Sequence, residues 1–170
     1  YAQDTGLPAG TADIVTCSQA FHWMEPERTL AEVARLLRPG GVFAAYDYVW
    51  PPAIHWEVER AWAACQERVR QLGEPDAPDA RWAKGEHLGR LRVSGHFRYV
   101  REVLLHAQEE GDAARFCGLT ITSGVFERWL AAGKSDADLG LDTLRAVATR
   151  VLGDRAWPWY LGYHVRLGVR

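Results

Sequence analysis

The hydrophobic pattern near the N-terminus predicts a strand, a helix and a second strand. A β-rich run at residues 12–17 ends at the polar Ser18-Gln19. From Pro26, apolar residues recur at i, i+3, i+4 and i+7, the spacing of a helix, and Pro39 ends that helix. Gly40-Gly41 predict a tight turn into an apolar run at residues 42–48. Because a single helix joins the strands, we expect them to pair in parallel.

The later pattern predicts further helices and two more strands. An amphipathic helix spans residues 54–72, and a proline-containing loop follows at 74–81. Further helices fill 111–132 and, after a Ser135-Asp136 cap, 137–152. Residues 97–106 and 159–170 alternate between apolar and polar positions, so each predicts a strand with one buried face. In the last strand, the predicted buried face includes Trp159 and the opposite face includes Arg166.

This order of elements predicts the α/β class, with helices covering a sheet whose last two strands pair with each other in antiparallel fashion. In such sheets, ligands bind beyond the carboxyl ends of the strands. Those ends correspond here to residues 18–23 and 47–50.

Composition narrows the classes of partner. With 170 residues, 48% of them hydrophobic, the chain can bury one sizeable core. A formal charge of -2 gives no electrostatic basis for binding nucleic acid or an anionic membrane, so a small-molecule partner is favoured. No apolar run approaches the roughly 20 residues of a membrane span. Oligomeric state is not indicated.

Three cysteines at wide spacings predict neither a disulfide framework nor a zinc site. The histidines form no i, i+4 pair with a neighbouring carboxylate, so no metal is expected. Reduced thiols fit a cytoplasmic protein. The chain begins at Tyr1 without an initiator methionine, and we interpret it as a fragment.

Four blocks of sequence carry a family resemblance. They are Leu7-Pro8, residues 12–16 (Ala-Asp-Ile-Val-Thr), residues 20–23 (Ala-Phe-His-Trp) and residues 37–42 (Leu-Arg-Pro-Gly-Gly-Val). In order and spacing, they resemble the fourth strand, following helix and fifth strand of class I S-adenosylmethionine-dependent methyltransferases, in particular the type 11 group.

The resemblance implies a Rossmann-like methyltransferase sheet of which this chain holds only the second half, strands four to seven, the last antiparallel, with a helical insertion. Residues 1–170 would form a single partial methyltransferase domain. Residues 53–96 and 109–152 would be mainly helical cap or packing segments.

The cofactor implied by the resemblance is S-adenosyl-L-methionine. The resemblance implies that its methionine end lies near Ser18, Gln19, Ala20 and His22, and that its adenine lies near Asp4 and Thr5. No two glycines lie two residues apart, so the glycine-rich cofactor loop is missing from this sequence. The acidic residue that holds the ribose is expected upstream as well.

Four residues at the predicted strand ends are candidates for the acceptor side of the site. His22 could act as a general base or simply pack. Trp23 and Trp50 could line the substrate pocket or belong to the core. Asp47 could accept a hydrogen bond from the substrate, or be a solvated strand end.

The leading hypothesis is methyl transfer to a small-molecule acceptor, for instance a carboxylate, by a longer protein, the fragment alone being inactive. A second hypothesis is a non-catalytic fragment or interaction module, because the strand at residues 12–17 would expose an apolar edge. A nucleotide-binding oxidoreductase of similar topology is the third.

Overall fold

The structure, a computed structural model, describes residues 1–73 and 82–170. The chain divides into two units, each with its own hydrophobic core. Of the described residues, the first unit comprises 1–49, 82–106 and 162–170, and the second comprises 50–73 and 107–161. The predicted loop at residues 74–81 lies outside the described residues.

Four strands and seven α-helices are described in these ranges. In chain order they are β1 (Ala12–Ser18), α1 (Pro26–Leu36), β2 (Leu37–Tyr48), α2 (Trp56–Leu72), α3 (His87–Val93), β3 (Tyr99–Gly111), α4 (Ala113–Ile121), α5 (Gly124–Ala131), α6 (Asp136–Leu139), α7 (Leu141–Val151) and β4 (Trp157–Val169). Short 3-10 turns occur at Phe21–Trp23 and Lys84–Glu86.

The predicted β-α-β unit is confirmed. Helix α1 begins with Pro26 in its first turn, and the Glu25 carboxylate accepts hydrogen bonds from the backbone N–H groups of Glu27 and Arg28. Its apolar face buries Leu30 and Val33 in the core of the first unit. Strands β1 and β2 pair in parallel, so their carboxyl ends meet at one edge of the sheet.

The Pro39-Gly40-Gly41 segment differs from its prediction as a turn that precedes the second strand. It lies inside β2, and the register with β1 shifts from Ala12 opposite Leu37 to Ile14 opposite Val42. A β-bulge therefore takes up the extra residues. Gly40 has a positive φ of 83°, which glycine adopts without strain.

Strand β4 lies inside the sheet, whose order is β1-β2-β4-β3. It pairs with β2 in antiparallel fashion, from Val42 opposite Val169 to Tyr48 opposite Tyr163. As predicted, the last two strands of the chain, β3 and β4, are neighbours in the sheet. Strand β1 is at the edge of this sheet.

The predicted one-sided burial of the last strand holds for Trp159 and Leu161 but fails further along. Arg166, predicted on the wetter face, is only 5% exposed, and Gly168 is buried as well. The alternation rule assumes one solvated face, and in this part of β4 that face is covered at Arg166 and Gly168. Arg166 is accommodated because acidic side chains pair with it, as described below.

The second unit is mainly helical. Its core includes Phe116, Leu144 and Trp159, from two helices and one strand. The helical stretches are interrupted where sequence periodicity suggested continuity, since α6 ends at Gly140, whose φ of 75° is left-handed. The predicted Ser135 cap is confirmed and forms a reciprocal capping box with Asp138.

Within residues 1–73 and 82–170, no helix combines the length and apolar character needed to span a membrane.

Candidate functional site

The chain leaves β1 through a strained residue. Gln19 adopts a φ of 50°, which is uncommon for a residue with a side chain, and its backbone N–H donates to the Tyr46 carbonyl oxygen at 2.9 Å. A 3-10 turn follows, and within it Phe21 is buried, its ring centroid 5.7 Å from that of Phe43. The packing of Phe21 against Phe43 holds the neighbouring residues of the turn at the end of β1.

Two predicted site residues come together at the carboxyl ends of the parallel strands. His22 follows β1 and Asp47 is near the end of β2, and His22 Nδ1 lies 3.8 Å from Asp47 Oδ1. Trp23 is half exposed, with its ring centroid 5.1 Å from that of His22. Sequence reasoning therefore found part of one cluster.

Asp47 is not a solvated strand end, because it is only 5% exposed. Arg166 Nη1 donates a hydrogen bond to Asp47 Oδ2 at 2.8 Å, and Lys84 Nζ forms an ion pair with Asp47 Oδ1 at 3.1 Å. A buried carboxylate requires such partners, since an isolated ion would pay a large desolvation cost.

The cluster continues through Arg166 to strand β3. Arg166 Nε donates to Glu102 Oε1 at 2.9 Å, and His164 Nδ1 lies 3.3 Å from the same oxygen. We call Asp47 and the five residues linked to it, directly or through Lys84 or Arg166, the strand-end network. They are Gln19, His22, Asp47, Lys84, Glu102 and Arg166.

Lys84, Glu102 and Arg166 were missed by sequence analysis. Glu102 and Arg166 alternate with apolar residues in predicted strands, so the pattern assigned them to a wetter face. Lys84 comes after the predicted loop at residues 74–81, where no periodic signal exists. Their convergence depends on strand order, which the sequence pattern did not specify.

The segment that carries Lys84 is attached to the end of β1. The backbone N–H of Trp82 donates to the His22 carbonyl oxygen at 2.9 Å, and Lys84 Nζ donates to Gln19 Oε1 at 2.8 Å. The Arg90 guanidinium lies over the Trp82 ring, 5.1 Å from its centroid, and donates to the Ala83 carbonyl oxygen at 3.0 Å. Lys84 is thus positioned by its own neighbours.

His87 adds a neutral, buried imidazole beside the network. It is fully buried, with its ring centroid 4.7 Å from that of Phe21. Burial lowers the pKa of His87 to about 4, against a smaller opposing effect of Asp47. Arg90 Nη1 lies 3.1 Å from His87 Nδ1, which must be the acceptor because a guanidinium only donates.

Three of the residues predicted to bind the cofactor lie outside the strand-end network, namely Ser18, Ala20 and Thr5. Ser18 is exposed at the end of β1, opposite Tyr46, and the Ala20 carbonyl oxygen closes the 3-10 turn. Thr5 contacts α1, where its backbone N–H and its hydroxyl both donate to Glu32 Oε1. These hydrogen bonds and the Arg35 guanidinium hold the pKa of Glu32 well below its usual range.

Asp4 is next to Thr5, and its backbone N–H donates to the Tyr1 carbonyl oxygen. Trp50 lies in the second unit, where its ring centroid is 5.3 Å from that of Phe116 and 5.9 Å from that of Trp159. Within that unit Trp50 packs as part of an aromatic cluster. The roles assigned to both residues from the sequence stay predictions.

Comparison with known proteins agrees with the sequence resemblance. Residues 1–45 match the family described as Methyltransferase domain. An uncharacterized methyltransferase of Mycobacterium tuberculosis is 48% identical over 73 residues, which cover 43% of this chain and 25% of that protein. A probable methyltransferase of Aspergillus luteorubrus is 31% identical over 80 residues, covering 42% of this chain and 27% of that protein.

The fold has a counterpart among solved structures. A structure from Anaeromyxobacter dehalogenans, described as a type II methyltransferase, superimposes with a TM-score of 0.70 and 22% identity, covering 99% of this chain and 68% of that one. These findings support the class I S-adenosylmethionine-dependent methyltransferases as the family that this chain resembles. The chain spans about a quarter of the length of the curated relatives it matches.

The donor groups of the strand-end network are chemically suited to S-adenosylmethionine, the cofactor that the family resemblance implies. The methionine end of S-adenosylmethionine carries a carboxylate and an ammonium. The network presents an ammonium at Lys84 and a carboxamide at Gln19, and the Gln19 Nε2 atom is buried with no hydrogen-bond acceptor among the described residues. A buried donor without a partner is a feature that a bound ligand can complete.

Proposed function

We propose that this chain takes part in methyl transfer from S-adenosyl-L-methionine to a small-molecule acceptor. The observation that carries the proposal is the convergence of Gln19, His22 and Asp47 where the parallel strands β1 and β2 end. The matched family segment, residues 1–45, covers β1, α1 and most of β2. Ligands of open α/β sheets bind beyond such strand ends.

The strands have a proposed correspondence with the family sheet. In this proposal β1, β2, β3 and β4 are the fourth to seventh strands, and residues 1–170 form part of a single methyltransferase domain. Residues 53–96 and 109–152 would then be cap or packing segments. The glycine-rich loop and the ribose-binding acid would come from outside these residues, which fits a match to 25% of the length of the Mycobacterium tuberculosis relative.

Each candidate residue receives a role in this proposal. Ser18, Gln19, Ala20 and His22 face the methionine end of the cofactor, and Asp4 and Thr5 lie near the adenine. Trp23 and Asp47 are the proposed acceptor contacts in the first unit, and Trp50 stays a sequence-based candidate for acceptor binding.

The bound cofactor supplies an electrophilic methyl group, so the protein mainly has to orient the acceptor and exclude water. His22 is the proposed group that takes the acceptor proton at Nδ1 or Nε2. The Asp47 carboxylate, 3.8 Å from Nδ1, would stabilise the resulting imidazolium.

Calorimetric titration with S-adenosylhomocysteine tests the proposal. The experiment compares the 170-residue chain with a natural polypeptide that includes its upstream sequence. We expect micromolar binding by the longer protein and little or none by the 170 residues alone. No binding by the longer protein would contradict the proposal.

A second candidate function, an interaction module, has one observation in its favour. Strand β1 is at the edge of the sheet, and Ile14 on this strand is 65% exposed. Exposed apolar edge strands pair readily with other chains. Sedimentation over a concentration series, with Ile14→Lys as the comparison, separates the two functions, because self-association that the lysine abolishes would favour the module.

A further inference from the structure

The most exposed charged group of the strand-end network is the Lys84 ammonium. The Lys84 side chain is 42% exposed, whereas the side chains of Asp47 and Arg166 are 7% and 6% exposed. A ligand that approaches from solvent therefore meets an ammonium group, and the carboxylate that balances its charge is buried beneath it. At Lys84, the accessible chemistry of this network is that of a hydrogen-bond donor with a positive charge, whereas the partly exposed Glu102 carboxylate pairs with Arg166.

Lys84 retains donor capacity after its protein contacts are counted. An ammonium carries three N–H groups. Among the described residues, its partners are Gln19 Oε1 at 2.8 Å and Asp47 Oδ1 at 3.1 Å. At least one N–H group can therefore serve a ligand without breaking either contact.

Gln19 presents a second donor in the same place. Because its Oε1 accepts from Lys84, the orientation of the amide is set, and Nε2 is the other polar atom of the amide that contacts the ammonium. Nε2 is a buried donor without an acceptor among residues 1–73 and 82–170, and leaving such a donor unsatisfied destabilises the protein. Gln19 also keeps a positive φ of 50°, a local strain of the kind found at binding sites.

We propose that Lys84 and Gln19 form a carboxylate-binding subsite. Two adjacent donors, one of them charged, match the two oxygens of a carboxylate, and such charge-assisted hydrogen bonds are the strongest that side chains offer. The Asp47 carboxylate, which would otherwise repel the ligand, is paired with Arg166. The inference deepens the proposed function, since the carboxylate would belong to the methyl acceptor or to the amino-acid end of the cofactor.

Lysine labelling gives a direct test, because Lys84 and Lys134 are the only lysines of the chain. With 13C at the ε-carbon, NMR shows one signal for each, and Lys134 is an internal control in the second unit. We expect acetate and succinate to shift the Lys84 signal in a saturable way and to leave Lys134 unchanged. Acetamide, the neutral isostere of acetate, should shift neither.

Variants link the shift to the subsite. Followed by the imidazole signal of His22, acetate affinity should fall at least about tenfold in Lys84→Met, the loss of one charge-assisted hydrogen bond. It should stay within about threefold of wild type in Lys84→Arg, which keeps a cation, and in the control Lys134→Met. Thermal unfolding of each variant verifies that the fold is retained.

The source of the carboxylate is distinguished by the cofactor arm of the experiment, run on the longer natural polypeptide. If S-adenosylhomocysteine shifts Lys84 and 5′-methylthioadenosine, which has no carboxylate, does not, the cofactor supplies it. If succinate still shifts Lys84 in the presence of S-adenosylhomocysteine, the acceptor supplies it.

Equal responses to acetate and acetamide, or no response of Lys84 to any carboxylate, would overturn the subsite. A carboxylate response without any binding of S-adenosylhomocysteine would instead refute the proposed function and leave the subsite intact.

Discussion

Replacing Arg166 with methionine should destabilise the fold through the charge it leaves behind. Arg166 is the buried partner of Asp47, and both side chains are less than 10% exposed. Removing one member of a buried ion pair costs about 3–5 kcal/mol, because the remaining charge stays desolvated. Lys84 remains 3.1 Å from Asp47 and Glu102 is partly exposed, so we expect a loss near the lower limit, about 3 kcal/mol.

Denaturant unfolding of the 170-residue chain measures this loss. The double variant Arg166→Met, Asp47→Asn removes both charges, and it should lose less stability than Arg166→Met alone. Arg101→Met is the matched control, since Arg101 is an exposed arginine in β3 of the same sheet. Its effect should lie within about 0.5 kcal/mol.

The reasoning is refuted if Arg166→Met unfolds at the same denaturant concentration as the Arg101→Met control. It also fails if the double variant is less stable than Arg166→Met, because Asp47 would then not be the charge that Arg166 compensates.

Three further predictions concern burial around the network and the sheet. Because the pKa of His87 is lowered from 6.5 to about 4, the unfolded chain takes up the proton at higher pH than the folded chain does. The free energy of unfolding should therefore fall as pH drops from 6.5 to 4, by at most about 3 kcal/mol. Unfolding curves at pH 7 and pH 4.5 measure this fall, and His87→Gln should reduce it. Burial raises the pKa of the Cys17 thiol to about 11, so a thiol reagent at pH 8 should react with Cys17 only after denaturant is added, and rapid labelling of the native protein would contradict this. A Cβ at Gly168 would lie 2.7 Å from the Phe97 ring, so Gly168→Ala should cost about 1–3 kcal/mol in thermal or denaturant unfolding. Gly89→Ala, in a helix with no atom within 4 Å of the added carbon, is the control and should be neutral or stabilising.

Sequence reasoning reached the elements that depend on local chemistry. The parallel pair β1 and β2, the helix between them and the Ser135 cap follow from periodicity, proline geometry and side-chain capping, each of which acts over a few residues. The proximity of His22 and Asp47 was also accessible, because the ends of parallel strands that are neighbours meet at one edge.

Only the tertiary structure could identify Lys84, Glu102 and Arg166 as members of the site. Their contacts with Asp47 and with one another join residues more than 35 positions apart, and they require β4 to lie between β2 and β3. An alternating pattern assigns a charged residue to the wet face, since burying a charge is costly unless a partner meets it. Which partner meets it depends on strand order, and local periodicity carries no information about that order.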